Sequence, residues 1–381
     1  MKEKNKKKSL GKILGVVICF SVCVGVVYLI GFLSADKIPY EIIKDKIIIF
    51  LLTIYISFMI SFYLHIIIHE GGHYIFGRLT GYKLICFRIG SIAFIKEDDK
   101  IKIKKFSIAG TGGQCLMDPP EYKENKYPFV LYNLGGGLLN IIFSMIVFII
   151  YIIFVQAAYL SGILLSFSGI GIIVGLTNII PLKLGGVAND GYNIISLKKD
   201  KDARYAFYRQ LKISALLAKG VRVKDMPEEW FNLPEDADLN NPIMAAVACM
   251  KGSYYQDKKD FERAKEEFNY ALENCNNLLG IYKNEIHCEL LFYEILGDKN
   301  LDKINELFTK ELKKYIKVSK HSISKKRLLY AYELLINKDE NAAKKYLSEF
   351  EKLAKTYPYK GEIEGERELI QWAARISQST V

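Results

Sequence analysis

The chain has 381 residues, half of them hydrophobic and a quarter charged, and a net charge of +11. That length allows two domains. Seven cysteines, an odd count without framework spacing, argue against a disulfide scaffold and for reduced thiols. The positive charge is distributed in a way that fits membrane topology better than nucleic-acid binding.

Apolar and charged residues are segregated. Four apolar runs, 11–33, 47–68, 129–155 and 158–182, each reach the ~20 residues needed to cross a bilayer. The first is longer than a usual signal-peptide core and lacks a clean small-x-small cleavage site, so it reads as a retained span. Lysines crowd residues 1–12, and basic residues recur over 78–105 and at 183–199. The connection at 156–162 carries no charge. The positive-inside rule then places both termini and the 69–127 segment in the cytoplasm.

His69-Glu70-Gly71-Gly72-His73 directly follows the second apolar run. On a helix, HExxH sets two imidazoles one turn apart on one face, where both can bind one zinc ion. The glutamate beside the first histidine can then act as general base on the water that zinc activates. The chain has only five histidines, and ionisable residues at membrane depth are costly enough to imply function. Paired histidines on an ordinary helix face are the bland alternative. Gly71 and Gly72 suggest either a helix end or room for another backbone near the metal. His65, one turn earlier, is either an alternative ligand or a polar group facing the bundle.

Residues 92–103 read as a β-hairpin whose second arm alternates apolar and basic residues, as in a half-buried strand. It is either a structural cap on the bundle or an edge to which a substrate strand adds. The glycine-rich run 110–114 lacks the Gly-Lys-Ser/Thr of a phosphate loop, so nucleotide binding is rejected. An inert loop or core position suits Cys115 better than a functional thiol.

A catalytic zinc needs a third protein ligand and an open position. Asp190 is the only acidic residue between Glu124 and Asp200. It follows the fourth apolar run and the segment Asn178-Ile179-Ile180-Pro181. Asn189-Asp190-Gly191 is also strong turn chemistry; a turn could present Asp190 to the metal.

Together these residues resemble the site-2 protease family of intramembrane zinc metalloproteases over about residues 45–195. That family combines HExxH with Asn-x-x-Pro and a following Asp-Gly. The resemblance implies Zn2+ held by His69, His73 and Asp190, with Glu70 as general base. It implies a substrate-positioning role for Asn178, and a similar one for Asn140 in Gly136-Gly137-Leu138-Leu139-Asn140, where Gly137 replaces the family's usual proline. Eight residues separate Pro181 from Asp190, more than the family pattern leads one to expect.

Residues 200–381 read as short amphipathic helices. Gly252, Tyr255, Ala264, Phe268 and Ala271 sit at tetratricopeptide offsets, with a weaker echo at Ala343, Leu347 and Phe350; a generic helical bundle is the alternative. His287 and His321 look structural. The resulting expectation is an α-helical polytopic membrane protein with about four transmembrane helices and a small cytosolic β-hairpin. An all-α, helical-repeat-like cytosolic domain follows. The expected parts are 1–44 (tail and first span), 45–195 (metalloprotease core) and 196–381. The expected location is a bacterial plasma membrane, with a membrane-protein or peptide substrate in the lipid bilayer and no nucleic acid. The competing reading is a non-proteolytic scaffold that binds a protein partner through 196–381.

Overall fold

The longest helix, α1 (Ile47–Leu79), has 33 residues, well beyond the ~20 that span a bilayer. Its outward positions are large and apolar: Ile48, Leu51, Ile56, Met59 and Phe62 are all exposed. Apart from Phe50, its buried positions are small or polar: Ser57, Ser61, His65, Gly72, His73 and Gly77. That inverts a soluble helix and suits a lipid environment, where helices associate through small residues and internal polar contacts. The helix stops in a Schellman turn: Gly81 takes φ +92°, and the Tyr82 and Gly81 amides donate to the Gly77 and Arg78 carbonyls. The HExxH motif therefore lies inside this helix, about two turns before its end.

Two further helices, α2 (Phe129–Phe154) and α3 (Ala158–Ile179), pack with α1 into a three-helix layer. Both carry the same small-inside pattern. α2 buries Gly135, Gly136, Gly137, Asn140 and Ser144, and α3 buries Ser161, Ser168, Gly171 and Gly175. All three are long and apolar enough to cross a membrane. In this computed structural model the described residues are 44–379, apart from 98–99, 107–110, 125, 155–156 and 185–186, together with 17, 21, 23–26, 28–29, 31–32 and 39. The expected first span, 11–33, falls largely outside them.

The chain forms two compact units. One comprises Met1–Lys83 and Lys123–Lys199; the other comprises Leu84–Tyr122 and Asp200–Val381. In the first, α3 is followed by a two-residue ladder, β5 (Lys183–Leu184) with β6 (Val187–Ala188), and by helix α4 (Asp190–Lys199).

The second unit holds a four-stranded antiparallel sheet where the sequence led us to expect a hairpin alone. β2 (Ile92–Glu97) and β3 (Lys100–Lys105) pair as expected, but β1 (Lys83–Ile89) and β4 (Gly113–Asp118) join them in the order β3-β2-β1-β4. The core of the sheet is Ile85, Cys86, Ala93, Ile95 and Leu116, packed on Ala215 and Ala218 of α5 (Lys201–Ala218). Cys115 is buried in β4. Where the sequence suggests a half-buried β3, Ile101 and Ile103 are 63% and 69% exposed, because β3 is a sheet edge and no described residue of this unit covers its apolar positions.

The rest of the second unit is helical, from α6 (Pro242–Asp257) and α7 (Phe261–Asn274) through α8 (Gly280–Leu296), α9 (Leu301–Leu307), α10 (Lys310–Val318), α11 (Ile323–Tyr332) and α12 (Glu340–Ala354) to α13 (Lys360–Ser379). Ala264, Phe268 and Ala271 form the buried stripe of α7, and the Phe268 ring lies directly against Gly252 of α6. A charged layer crosses this core. Arg327 is fully buried and ion-paired to Glu289 and Glu366, each at 2.6 Å. Lys325 pairs with Glu285 at 2.6 Å.

Glu362 stands apart in that layer. It lines a cavity of about 420 Å³, and the Tyr357 hydroxyl donates to it at 2.7 Å. Burial, with Glu366 and Glu285 nearby, pushes its carboxyl from 4.5 up to about 7. A carboxyl raised on folding is tolerated while protonated, so its contribution is fully present below pH 4.5 and is lost as pH rises to about 7. That gap corresponds to ~3 kcal/mol at most. Glu362→Gln is therefore expected to stabilise the helical unit by about 2–3 kcal/mol at pH 8 and to change little at pH 4. Denaturant unfolding followed by circular dichroism at the two pH values checks this.

Candidate metal centre

The i, i+4 spacing on α1 turns both motif imidazoles toward one point, with ring centroids 4.8 Å apart and planes nearly perpendicular. Their Nε2 atoms are 3.1 Å apart. The third group arrives from beyond α3. Asp190 Oδ2 lies 3.3 Å from His69 Nε2 and 3.4 Å from His73 Nε2.

The eight-residue connection after Pro181 does not displace Asp190, because it folds out of the way. Lys183–Leu184 and Val187–Ala188 pair as the β5–β6 ladder, and the Asn189 amide donates to the Leu182 carbonyl at 3.1 Å. The chain thus leaves and re-enters at nearly the same point. Asn189 then fixes the re-entry with four side-chain hydrogen bonds. Its Oδ1 accepts from the Leu182 and Tyr192 amides, and its Nδ2 donates to the Thr177 and Ile180 carbonyls. The Tyr192 bond is an N-cap on α4, which makes Asp190 the first residue of that helix. In the sequence Asn189 reads as a turn residue, although an asparagine just before a helical pattern is also a helix-cap signal. Gly191 completes the junction, since a Cβ there would fall 2.0 Å from the Ile179 carbonyl oxygen.

The histidines are held from behind. His73 Nδ1 donates to the Tyr132 carbonyl at 2.7 Å. Tyr132 in turn stacks on Tyr82 with ring centroids 4.6 Å apart. His69 is covered by α2, where a Cβ on Gly136 would come within 2.5–2.7 Å of the imidazole. Gly72 lets α2 approach, its place on α1 lying against the Gly135 carbonyl. Gly71 has no such neighbour closer than 3.9 Å, so close packing requires only the second of the two glycines.

Asn140 is buried between His65 and His69, within hydrogen-bond distance of both. Asn178 gives its Nδ2 to the Val174 carbonyl one turn back, which leaves its oxygen available. Glu70 is half-buried beside His69.

The donor set fits a zinc ion. His73 donates through Nδ1, so its Nε2 presents a lone pair. Asp190 Oδ2 is buried with no hydrogen-bond donor among the described residues. Acceptors facing one another at 3.1–3.4 Å repel unless a cation sits among them. Ligand atoms ~2.0–2.1 Å from a tetrahedral zinc lie about 3.3 Å apart, which is the spacing seen here. The side chains of His69 and Asp190 remain 15% and 21% exposed, so an approach to the site stays open.

No curated protein and no solved structure matches the chain. The model of peptidase family M50 matches residues 57–325, a stretch that begins within α1 ahead of the HExxH motif and runs through Asp190 into the helical unit. With more than half of its length matched, the chain belongs to peptidase family M50, the site-2 protease family.

Proposed function

We propose that this protein is an intramembrane zinc metalloprotease that hydrolyses a peptide bond in or near a membrane-spanning segment of another membrane protein or of a signal-peptide remnant. The observation that carries this reading is the convergence of His69 Nε2, His73 Nε2 and Asp190 Oδ2 on one point, with Glu70 beside them on a helix able to cross a bilayer.

In this reading the side chains of His69, His73 and Asp190 would hold the ion. Bound zinc supplies Lewis acidity, bringing a water within reach of deprotonation near neutral pH. The Glu70 carboxylate takes the proton of the attacking water as its oxygen bonds to the scissile carbonyl carbon. Glu70 then returns that proton to the amide nitrogen as the C–N bond breaks. Asn178, with its nitrogen committed to Val174, offers its oxygen to a substrate backbone N–H. The wall of α2 against His69 excludes bulk water from that side of the imidazole.

General acid–base groups contribute about 10²–10⁴-fold. Glu70→Gln, which keeps all three metal donors, is therefore expected to lower cleavage by that factor while zinc content stays at the wild-type level. The test compares the membrane and secreted proteomes of cells carrying wild-type or Glu70→Gln protein, with metal analysis of both purified proteins. A membrane protein that accumulates, or a peptide that disappears, in the variant supports the protease and names its substrate. Identical proteomes with a folded, zinc-loaded variant would leave the chain a scaffold.

A further inference from the structure

His65 takes no part in the metal-binding triad, yet it is fully buried and connected to it. His65 Nε2 lies 3.0 Å from the Phe167 carbonyl oxygen, and His65 Nδ1 lies 3.0 Å from one end of the Asn140 amide. The other end of that amide lies 3.3 Å from His69 Nδ1. The three side chains thus form one line from α3 through α1 and α2 back to the first motif histidine.

The chemistry of that line allows a single proton arrangement. A carbonyl oxygen only accepts, so His65 Nε2 carries its proton. Both partners of His65 are uncharged, and a cation fully buried without a counter-charge is costly. The ring is then neutral and its Nδ1 is an acceptor. An amide oxygen facing that nitrogen would set acceptor against acceptor. Turning the Asn140 amide by half a rotation resolves this, since its two ends are alike in shape and are assigned by hydrogen-bond consistency. Asn140 Nδ2 then donates to His65 Nδ1, and Asn140 Oδ1 accepts from His69 Nδ1–H. His69 is left with its Nε2 lone pair directed at the point shared with His73 and Asp190.

We propose that His65 is a positioning residue that acts through Asn140 to fix His69 in the tautomer able to bind metal. For His73 the Tyr132 carbonyl does this directly. Among the described contacts of His69, no carbonyl does so, and a side-chain amide by itself could offer His69 either its donor or its acceptor. His65, anchored on Phe167, removes that choice. This inference rests on the metal-centre reading above and gives Asn140 a role other than substrate contact.

The test measures zinc affinity, by chelator competition, of the full chain in lipid nanodiscs. His65→Ala is expected to weaken zinc binding about 10–100-fold, the range for partners that orient metal ligands. Adding Asn140→Asp is expected to restore most of it, because a carboxylate only accepts and so selects the same His69 tautomer without His65. A purely packing role for His65 would not be rescued by that change. Should His65→Ala fail to fold, the pair Asn140→Leu and Asn140→Asp decides, the first losing zinc and the second keeping it. Affinity within threefold of wild type in His65→Ala or Asn140→Leu, or no recovery in the double variant, overturns the proposal. A wild type that binds no zinc removes the metal centre itself, and this inference with it.

Discussion

Replacing Asp190 by alanine is expected to strip the centre of its metal and reduce proteolysis to background. Two imidazoles one turn apart remain in that variant, but they supply only nitrogen ligands and no negative charge to a divalent ion. The loss should exceed the ~10–100-fold that changes behind the ligands cost. It should also be separable from any loss of folding. Asp190 is the first residue of α4, where an acid contributes about 0.3–1 kcal/mol through the helix dipole. That is too little to unfold the helix layer. Nor does loss of Oδ2 leave a donor unpaired, because Asp190 Oδ2 accepts no hydrogen bond among the described residues. Metal analysis of purified Asp190→Ala, beside its circular dichroism and a cleavage assay, checks all three points. A variant that keeps stoichiometric zinc would show that another group completes the site, and the ligand assignment would fall.

The parts of this site differ in how far the sequence discloses them. HExxH is legible because helical geometry alone brings positions 69 and 73 together; the chemistry follows from spacing within one element. Asp190 is legible only through the resemblance, since no local rule says that a residue more than a hundred positions away returns to the same point. The β5–β6 ladder that makes this return possible has no strong signature. Its outcome depends on Asn189 reaching the Ile180 and Leu182 backbone before the ladder and the Tyr192 amide after it. The sheet shows a similar limit. The β2–β3 hairpin could be read from alternation, but β4 begins in a glycine-rich run, and its pairing with β1 is a long-range event. The grouping of Leu84–Tyr122 with Asp200–Val381 is likewise hidden. A strand that ends up against α5 precedes it by about a hundred residues, so a linear reading attaches the sheet to the helices on either side. Asn140 and His65 were each visible as polar residues on apolar helices. Their joint role emerges only when three helices set them in line.

Asn189→Ala is expected to damage the centre almost as severely as loss of a ligand, while touching none of the metal donors. The alanine removes an N-cap worth ~1 kcal/mol. It also leaves the Leu182 amide and the Thr177 and Ile180 carbonyls without their partners, each costing roughly 1–3 kcal/mol where water cannot replace them. Only the short β5–β6 ladder and the main-chain bond from residue 189 to the Leu182 carbonyl then tie the start of α4 to the end of α3. Asp190 should sample positions away from the histidines, with zinc affinity falling about 10–100-fold. Two comparisons identify the cause. Asn189→Asp retains the cap but turns an oxygen toward two carbonyls, so it should bind zinc no better than the alanine variant. If the cap were all that mattered, the aspartate would behave as wild type. Excess zinc supplies the second comparison. Asn189→Ala still owns all three ligands, so cleavage should recover as the metal concentration is raised. Asp190→Ala, which lacks one of them, should stay inactive at every concentration.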